Sequence, residues 1–114
     1  MKHEMNLQHD PFTKIKNGTK TIEMRLHDEK RSAVSIGDTI VFQDADSGER
    51  IECLVSNLFR YASFAELYRH HDKVSIGYAE DEPADPRDMQ AYYSEEKIAQ
   101  YGVVGIGVKV IVRK

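Results

Sequence analysis

Near its C-terminal end the chain reads Val103-Val104-Gly105-Ile106-Gly107-Val108-Lys109-Val110-Ile111-Val112. β-Branched residues dominate this run, and side chains along a strand alternate between two faces. Val104, Ile106, Val108, Val110 and Val112 share one parity and are expected to line a core. Gly105 and Gly107 share the other. Two glycines on one face of a strand point to close approach of another backbone or a ligand, or to a sharp bend in a barrel.

Other elements are shorter. His3 to Leu7 alternates and reads as a first strand. Asp10-Pro11 is expected to be an N-cap followed by proline at the first helical position, with Gly18 ending that helix. Thr21 to Leu26 alternates strictly: Ile22, Met24 and Leu26 are expected to face a core, and Thr21, Glu23 and Arg25 the other way. His27 to Ser35 reads as a loop, Thr39 to Phe42 as a strand, Asp44 to Gly48 as a hairpin connection, and Arg50 to Leu58 as the return strand. Ser63 with Glu66 has the spacing of a capping box. Asp85-Pro86 and Ser94 each open a further helical segment, and Gly102 closes the last. Strands interrupted by short helices predict an α+β fold, a small curved sheet or barrel of mainly antiparallel strands with helices packed around it.

At 114 residues, with 40% hydrophobic and 31% charged, the chain is expected to form one domain, residues 1–114, with its own core. Its apolar runs are too short for a membrane helix, so no membrane partner is expected. Met1 to Met5 lacks the apolar region of a secretory signal, so a cytoplasmic location is expected. The lone Cys53, in an alternating run, is expected to be a buried thiol. No dinucleotide, phosphate-loop or Gly-x-Ser-x-Gly fingerprint occurs, so no cofactor is expected. His70-His71 lacks the spacing of helical metal ligands, so no metal is expected either. The net charge of −3 argues against a protein that coats long nucleic acids by phosphate neutralisation. Residues 14–31 nevertheless carry a local excess of three positive charges and residues 80–88 an excess of four negative ones, which suits a small or local ligand beside the first segment.

The chemistry concentrates in Pro11-Phe12-Thr13-Lys14-Ile15-Lys16-Asn17-Gly18-Thr19-Lys20-Thr21-Ile22-Glu23-Met24-Arg25. Gly18 turns the chain, Lys20 leaves that turn, and Glu23 and Arg25 project from one strand face, where they can pair. Lys20 has the parity of the core face and reaches the polar side only if the turn redirects it. An ion-pair network that ties helix to strand is one reading. The other is a polar cluster in a cleft, with Arg25 as a donor fork and Glu23 accepting from an exocyclic amine.

The Gly-x-Lys-x-x-Glu-x-Arg pattern at Gly18, Lys20, Glu23 and Arg25 resembles the signature of the ASCH domain (activating signal cointegrator homology), a family of the PUA-like superfamily. Ile36 to Phe42, Arg60 to Tyr68, Tyr92-Tyr93-Ser94 and Tyr101 to Ile106 agree with that family in order along the chain. The resemblance implies a PUA-like β-barrel with peripheral helices and a cleft containing the motif residues. It also implies RNA recognition, with RNA or a modified nucleoside or nucleotide as partner. Ligand contacts are then expected from Gly18, Lys20, Thr21, Glu23 and Arg25, with Tyr61, Tyr92 and Tyr93 as stacking candidates. Tyr92 and Tyr93, adjacent on a helix, are not expected to face inward together.

Some small ASCH proteins resemble amidohydrolases that deacetylate N4-acetylcytidine, using a lysine and a threonine of the motif with a distant glutamate. Lys20 corresponds to the lysine, Glu23 stands where the threonine would be, and Thr21 is the nearest hydroxyl. Glu82 and Asp85 are the candidates for the distant acid. On that reading Lys20, Glu23 and Arg25 are catalytic, with Arg25 stabilising an oxyanion. Ribonuclease activity ranks third, because no paired histidines stand at a convincing spacing. Binding ranks first.

Overall fold

The computed structural model describes residues 1–113, with side chains through residue 111. Five strands, β1 (Lys2–Leu7), β2 (Ile22–Leu26), β3 (Thr39–Asp44), β4 (Arg50–Tyr61) and β5 (Val103–Arg113), form one mixed sheet in the order β1-β3-β4-β5-β2. Three of its pairings are antiparallel, and β1 runs parallel to β3. Helices α1 (His9–Asn17), α2 (Glu29–Ser32), α3 (Phe64–His70) and α4 (Glu95–Tyr101), with a 3-10 helix at Pro86–Ala91, surround it. The architecture is the expected α+β fold, with the sheet curled into a half-barrel whose two edges are β1 and β2.

The curl originates in β4. Its register against β5 shifts between Glu52 and Cys53 and again between Val55 and Asn57, and such bulges bend a strand and strengthen its twist. Gly107 meets the second shift: a Cβ there would lie 2.9 Å from Asn57 Cβ. Gly105, two residues earlier on the same parity, lets the second core approach: a Cβ there would lie 3.0 Å from Ile22 Cγ2 and 3.5 Å from Leu67 Cδ1. The paired glycines thus mark the close approach that their spacing implied.

Both faces of β5 are covered. Val104, Ile106 and Val108 join Met5, Leu7, Phe12, Ile15, Ile40, Phe42, Ile51 and Val55 in a core beneath α1. Val103 joins Ile22, Met24, Leu26, Phe64, Leu67, Ile76 and Met89 in a second core beneath α3 and the 3-10 helix. Val110 packs at the edge of the first core, and the side chain of Val112 lies outside the described residues. Cys53 is fully buried, and burial pushes its thiol up to about 12.

Two local expectations change. Helix α1 starts at His9, because the Phe12 N–H donates to Gln8 O at 3.1 Å and closes a turn before Pro11. Asp10 therefore lies in the first turn and pairs with Lys14 at 3.0 Å instead of capping. The loop from His27 to Ser35 contains α2, whose cap is Asp28 accepting from the Arg31 N–H. Elsewhere the cap residues act as read: Ser63, Asp85 and Ser94 each accept a backbone N–H of the helix they open.

Candidate functional site

The site grows from the end of α1. Gly18, at φ +87°, donates its N–H to Ile15 O and ends the helix. Lys20 N–H then reaches back to Lys14 O at 3.1 Å, and the N–H groups of Thr21 and Ile22 both donate to Ser75 O. These bonds swing the chain before β2 begins, and so Lys20 reaches the side of Glu23 and Arg25 although it shares the sequence parity of Ile22 and Met24. Gly77 closes over it. A Cβ on Gly77 would lie 3.2 Å from Lys20 Cδ, and its φ of +116° suits glycine.

Strand β2 supplies the other two charges. Glu23 stands opposite Ile106 and Arg25 opposite Val104, so both occupy the face that carries the α1 core, beyond its apolar edge. Ile22, Met24 and Leu26 face the second core instead. β2 is therefore covered on both sides, and Glu23 is 4% exposed and Lys20 7%. Lys20 Nζ lies 2.8 Å from Glu23 Oε1, and Arg25 Nε donates to Glu23 Oε2 at 2.6 Å. Burial penalises the Glu23 carboxylate, but Lys20 and Arg25 outweigh that penalty and hold it below the usual glutamate range. Arg25 Nη2 also donates to Asn6 O at 3.0 Å, tying edge strand β2 to edge strand β1.

Around this triad opens a cleft of about 410 Å³. Lys14 crosses one wall, donating to Gly77 O at 2.8 Å. A phenol chain forms another: the Tyr68 and Tyr78 hydroxyls are 2.8 Å apart, and Tyr78 donates to Asp88 Oδ2 at 2.7 Å. A hydroxyl carries one proton, so Tyr78 spends its own on Asp88 and accepts from Tyr68. Burial raises the pKa of both phenols, keeping them protonated. Tyr92 is 60% exposed at the rim, while Tyr93 stacks on Phe64 with centroids 6.0 Å apart.

Lys20, Glu23, Arg25, Tyr92, Tyr93 and Glu82 all line this cleft. The two tyrosines do so together because they follow the 3-10 helix rather than sit within an α-helix. Gly18, Thr21, Tyr61 and Asp85 do not line it. Gly18 shapes the turn from outside, and Thr21 is exposed on the far side of the β2 entry. Tyr61 lies elsewhere, its hydroxyl 2.9 Å from His71 Nε2 and its ring stacked on His70. The Asp85 carboxylate is taken by Arg87. The sequence reading missed Asn6, Lys14, Ile76, Gly77, Tyr78, Asp88 and Met89, which come from segments far apart in the chain. The local excess of charge on residues 14–31 and 80–88 was their one visible signal.

The ASCH domain family model matches residues 5–112. The crystal structure of hypothetical protein PH0355 superposes with a TM-score of 0.83 at 32% identity, covering 97% of this chain and 100% of that one. The solution structure of protein PF0455 from Pyrococcus furiosus gives 0.76 at 30% identity, covering 97% and 98%. The ZmASCH S128A mutant protein from Zymomonas mobilis gives 0.60 at 12% identity, covering 93% of this chain and 66% of that one, a likeness of fold. No protein with a curated description matches in sequence.

Proposed function

The chain belongs to the ASCH domain family, and from that footing we propose that its cleft binds a nucleobase, as a modified nucleoside or as one nucleotide of an RNA strand. One observation carries the proposal: the buried Lys20–Glu23–Arg25 triad opens onto a cleft with a tyrosine at its rim. A volume of about 410 Å³ lies within the range of small-molecule sites. Both Glu23 oxygens are engaged once, and a carboxylate offers roughly four acceptor positions, so acceptors remain for an exocyclic amine. Lys20 keeps two ammonium protons for a base carbonyl. Exposed Tyr92 offers a stacking face. Three cations and four carboxylates line the cleft, which favours a neutral polar group there over a polyphosphate.

The hydrolytic alternative rests on the same Lys20–Glu23 contact and is the weaker fit. Glu23, held ionised by two cations, is a poor general base. Thr21, outside the cleft, offers no nucleophile. Calorimetric titration with cytidine, N4-acetylcytidine and short RNAs tests the binding reading, with Lys20→Met and Glu23→Gln expected to weaken binding at least tenfold. Absence of binding at millimolar nucleoside overturns it. Deacetylation of N4-acetylcytidine by wild type, lost in Lys20→Ala, makes the protein an enzyme instead.

A further inference from the structure

A second cleft, of about 430 Å³, adjoins the first and has the opposite electrostatic character. Arg25, Lys30, Arg31 and Arg50 line it against a single carboxylate, Glu4. On a chain of net charge −3, four cations around one hollow are a local inversion. Its floor is the polar face of β1, β3 and β4, and its wall is α2. Asn6 and Arg25 belong to both clefts, so the two meet at the seam where Arg25 ties β2 to β1.

We propose that this second cleft binds the backbone phosphate of the nucleotide whose base occupies the first, so that the ligand is a single-stranded RNA rather than a free nucleoside. The inference rests on the base-binding reading for the first cleft. Arg25 commits Nε to Glu23 and Nη2 to Asn6 O, which leaves Nη1 uncommitted among the described residues. Arg31 holds Asp28 through Nη1, while its Nε is buried and has no hydrogen-bond partner. A buried donor without an acceptor is rare, and a turn of the Arg31 guanidinium toward the cleft would let a phosphate oxygen supply one. Lys30 is exposed and makes no ion pair among the described residues. Arg50, held by Gln43 at 2.9 Å and Glu4 at 2.5 Å, is fixed in place instead of trailing in solvent. Phosphate contacts of this kind position a strand, while base contacts specify it.

The test compares cytidine, cytidine 5′- and 3′-monophosphates, the trinucleotide CCC and inorganic phosphate, titrated into wild type, Lys30→Gln and Arg50→Gln. Neither replaced side chain lines the first cleft, and both are at the surface. In wild type, CCC and one monophosphate should bind at least tenfold tighter than cytidine, with affinity falling as salt rises, since each neutralised phosphate releases counterions. Each variant should lose at least threefold for the phosphorylated ligands and leave cytidine unchanged. Inorganic phosphate should bind at least tenfold more weakly than the monophosphate. Equal affinities for cytidine and CCC in wild type overturn the proposal, as do variants that bind CCC normally. If cytidine alone fails to bind while CCC binding still depends on Lys30 and Arg50, the phosphate site stands and the base reading falls.

Discussion

Glu23→Gln removes the carboxylate that Lys20 and Arg25 share. With N···O separations of 2.8 and 2.6 Å and an effective dielectric of about 20, each contact carries an attraction of about 6 kcal/mol. Desolvation of the buried ions offsets most of it, so the triad adds little over an apolar cluster. Breaking it is different. Glutamine retains the shape but leaves the 7%-exposed Lys20 and the half-hidden Arg25 without a counterion, a loss of about 3–5 kcal/mol. At about 4 °C for each kcal/mol in a chain of this size, the melting temperature at pH 7 should fall by about 12–20 °C. Thermal and urea melts followed by circular dichroism measure this, with Glu96→Gln, at the surface, as a control expected within about 0.5 kcal/mol of wild type. Lys20→Met should cost less than Glu23→Gln, because Glu23 keeps Arg25 and methionine refills the space under Gly77. The pH dependence has a definite sign. The folded Glu23 value lies below the ordinary 4.5, so its contribution is present above that value and is lost as pH falls through the folded one. A Glu23→Gln protein that loses less than about 1 kcal/mol would mean a solvated carboxylate, and the buried triad would be wrong.

Three further outcomes are expected. Gly77→Ala should lose about 1–3 kcal/mol through strain at positive φ and weaken nucleoside binding, because the methyl displaces the Lys20 stem; a melt and a titration measure both. Cys53, with its thiol pushed up to about 12 by burial, should resist a thiol reagent in the native protein and react only at the rate of unfolding, as a timed colorimetric assay would record. His9 should titrate above the ordinary 6.5 by NMR because Asp44 accepts from its ring at 2.7 Å, and Asp44→Asn should return it toward that value. Any stability drawn from this contact is present below pH 6.5 and fades as pH rises through the folded His9 value.

What could be read before folding was what depends on neighbours in sequence. Gly18 and Gly102 stop helices, Ser63 and Ser94 cap them, and Val103 to Val112 alternates, because these effects act over a few residues. Three of the triad's requirements were local as well: a turn at Gly18, a cation after it, and a same-face pair at Glu23 and Arg25. The face assignment of β2 was not. Alternation separates two faces without saying what covers each, and here both are covered, so the polar parity of Glu23 became a buried one. The parallel pairing of β1 with β3 was hidden because it joins strands separated by α1, β2 and α2. Tyr61 was misplaced for the same reason: the bend in β4 carries its end toward His70 and His71, away from the triad.

The two readings of the motif, a structural tie and a ligand site, are one arrangement seen from two sides. A half-barrel leaves two unpaired edges, and exposed edges invite unwanted pairing. Here the edges are joined by a guanidinium from β2 to a carbonyl of β1 rather than by a ladder of backbone bonds. A ladder would have closed the seam and left no opening. A side-chain bridge holds the edges together yet apart, and the charges that build it must be buried and mutually fixed to do so. The same rigidity pre-organises Lys20, Glu23 and Arg25 for a ligand, since little ordering remains to be done on binding. A variant that loosens the seam should therefore lose stability and affinity together, whereas one that alters only the rim, such as Tyr92→Ala, should lose affinity alone.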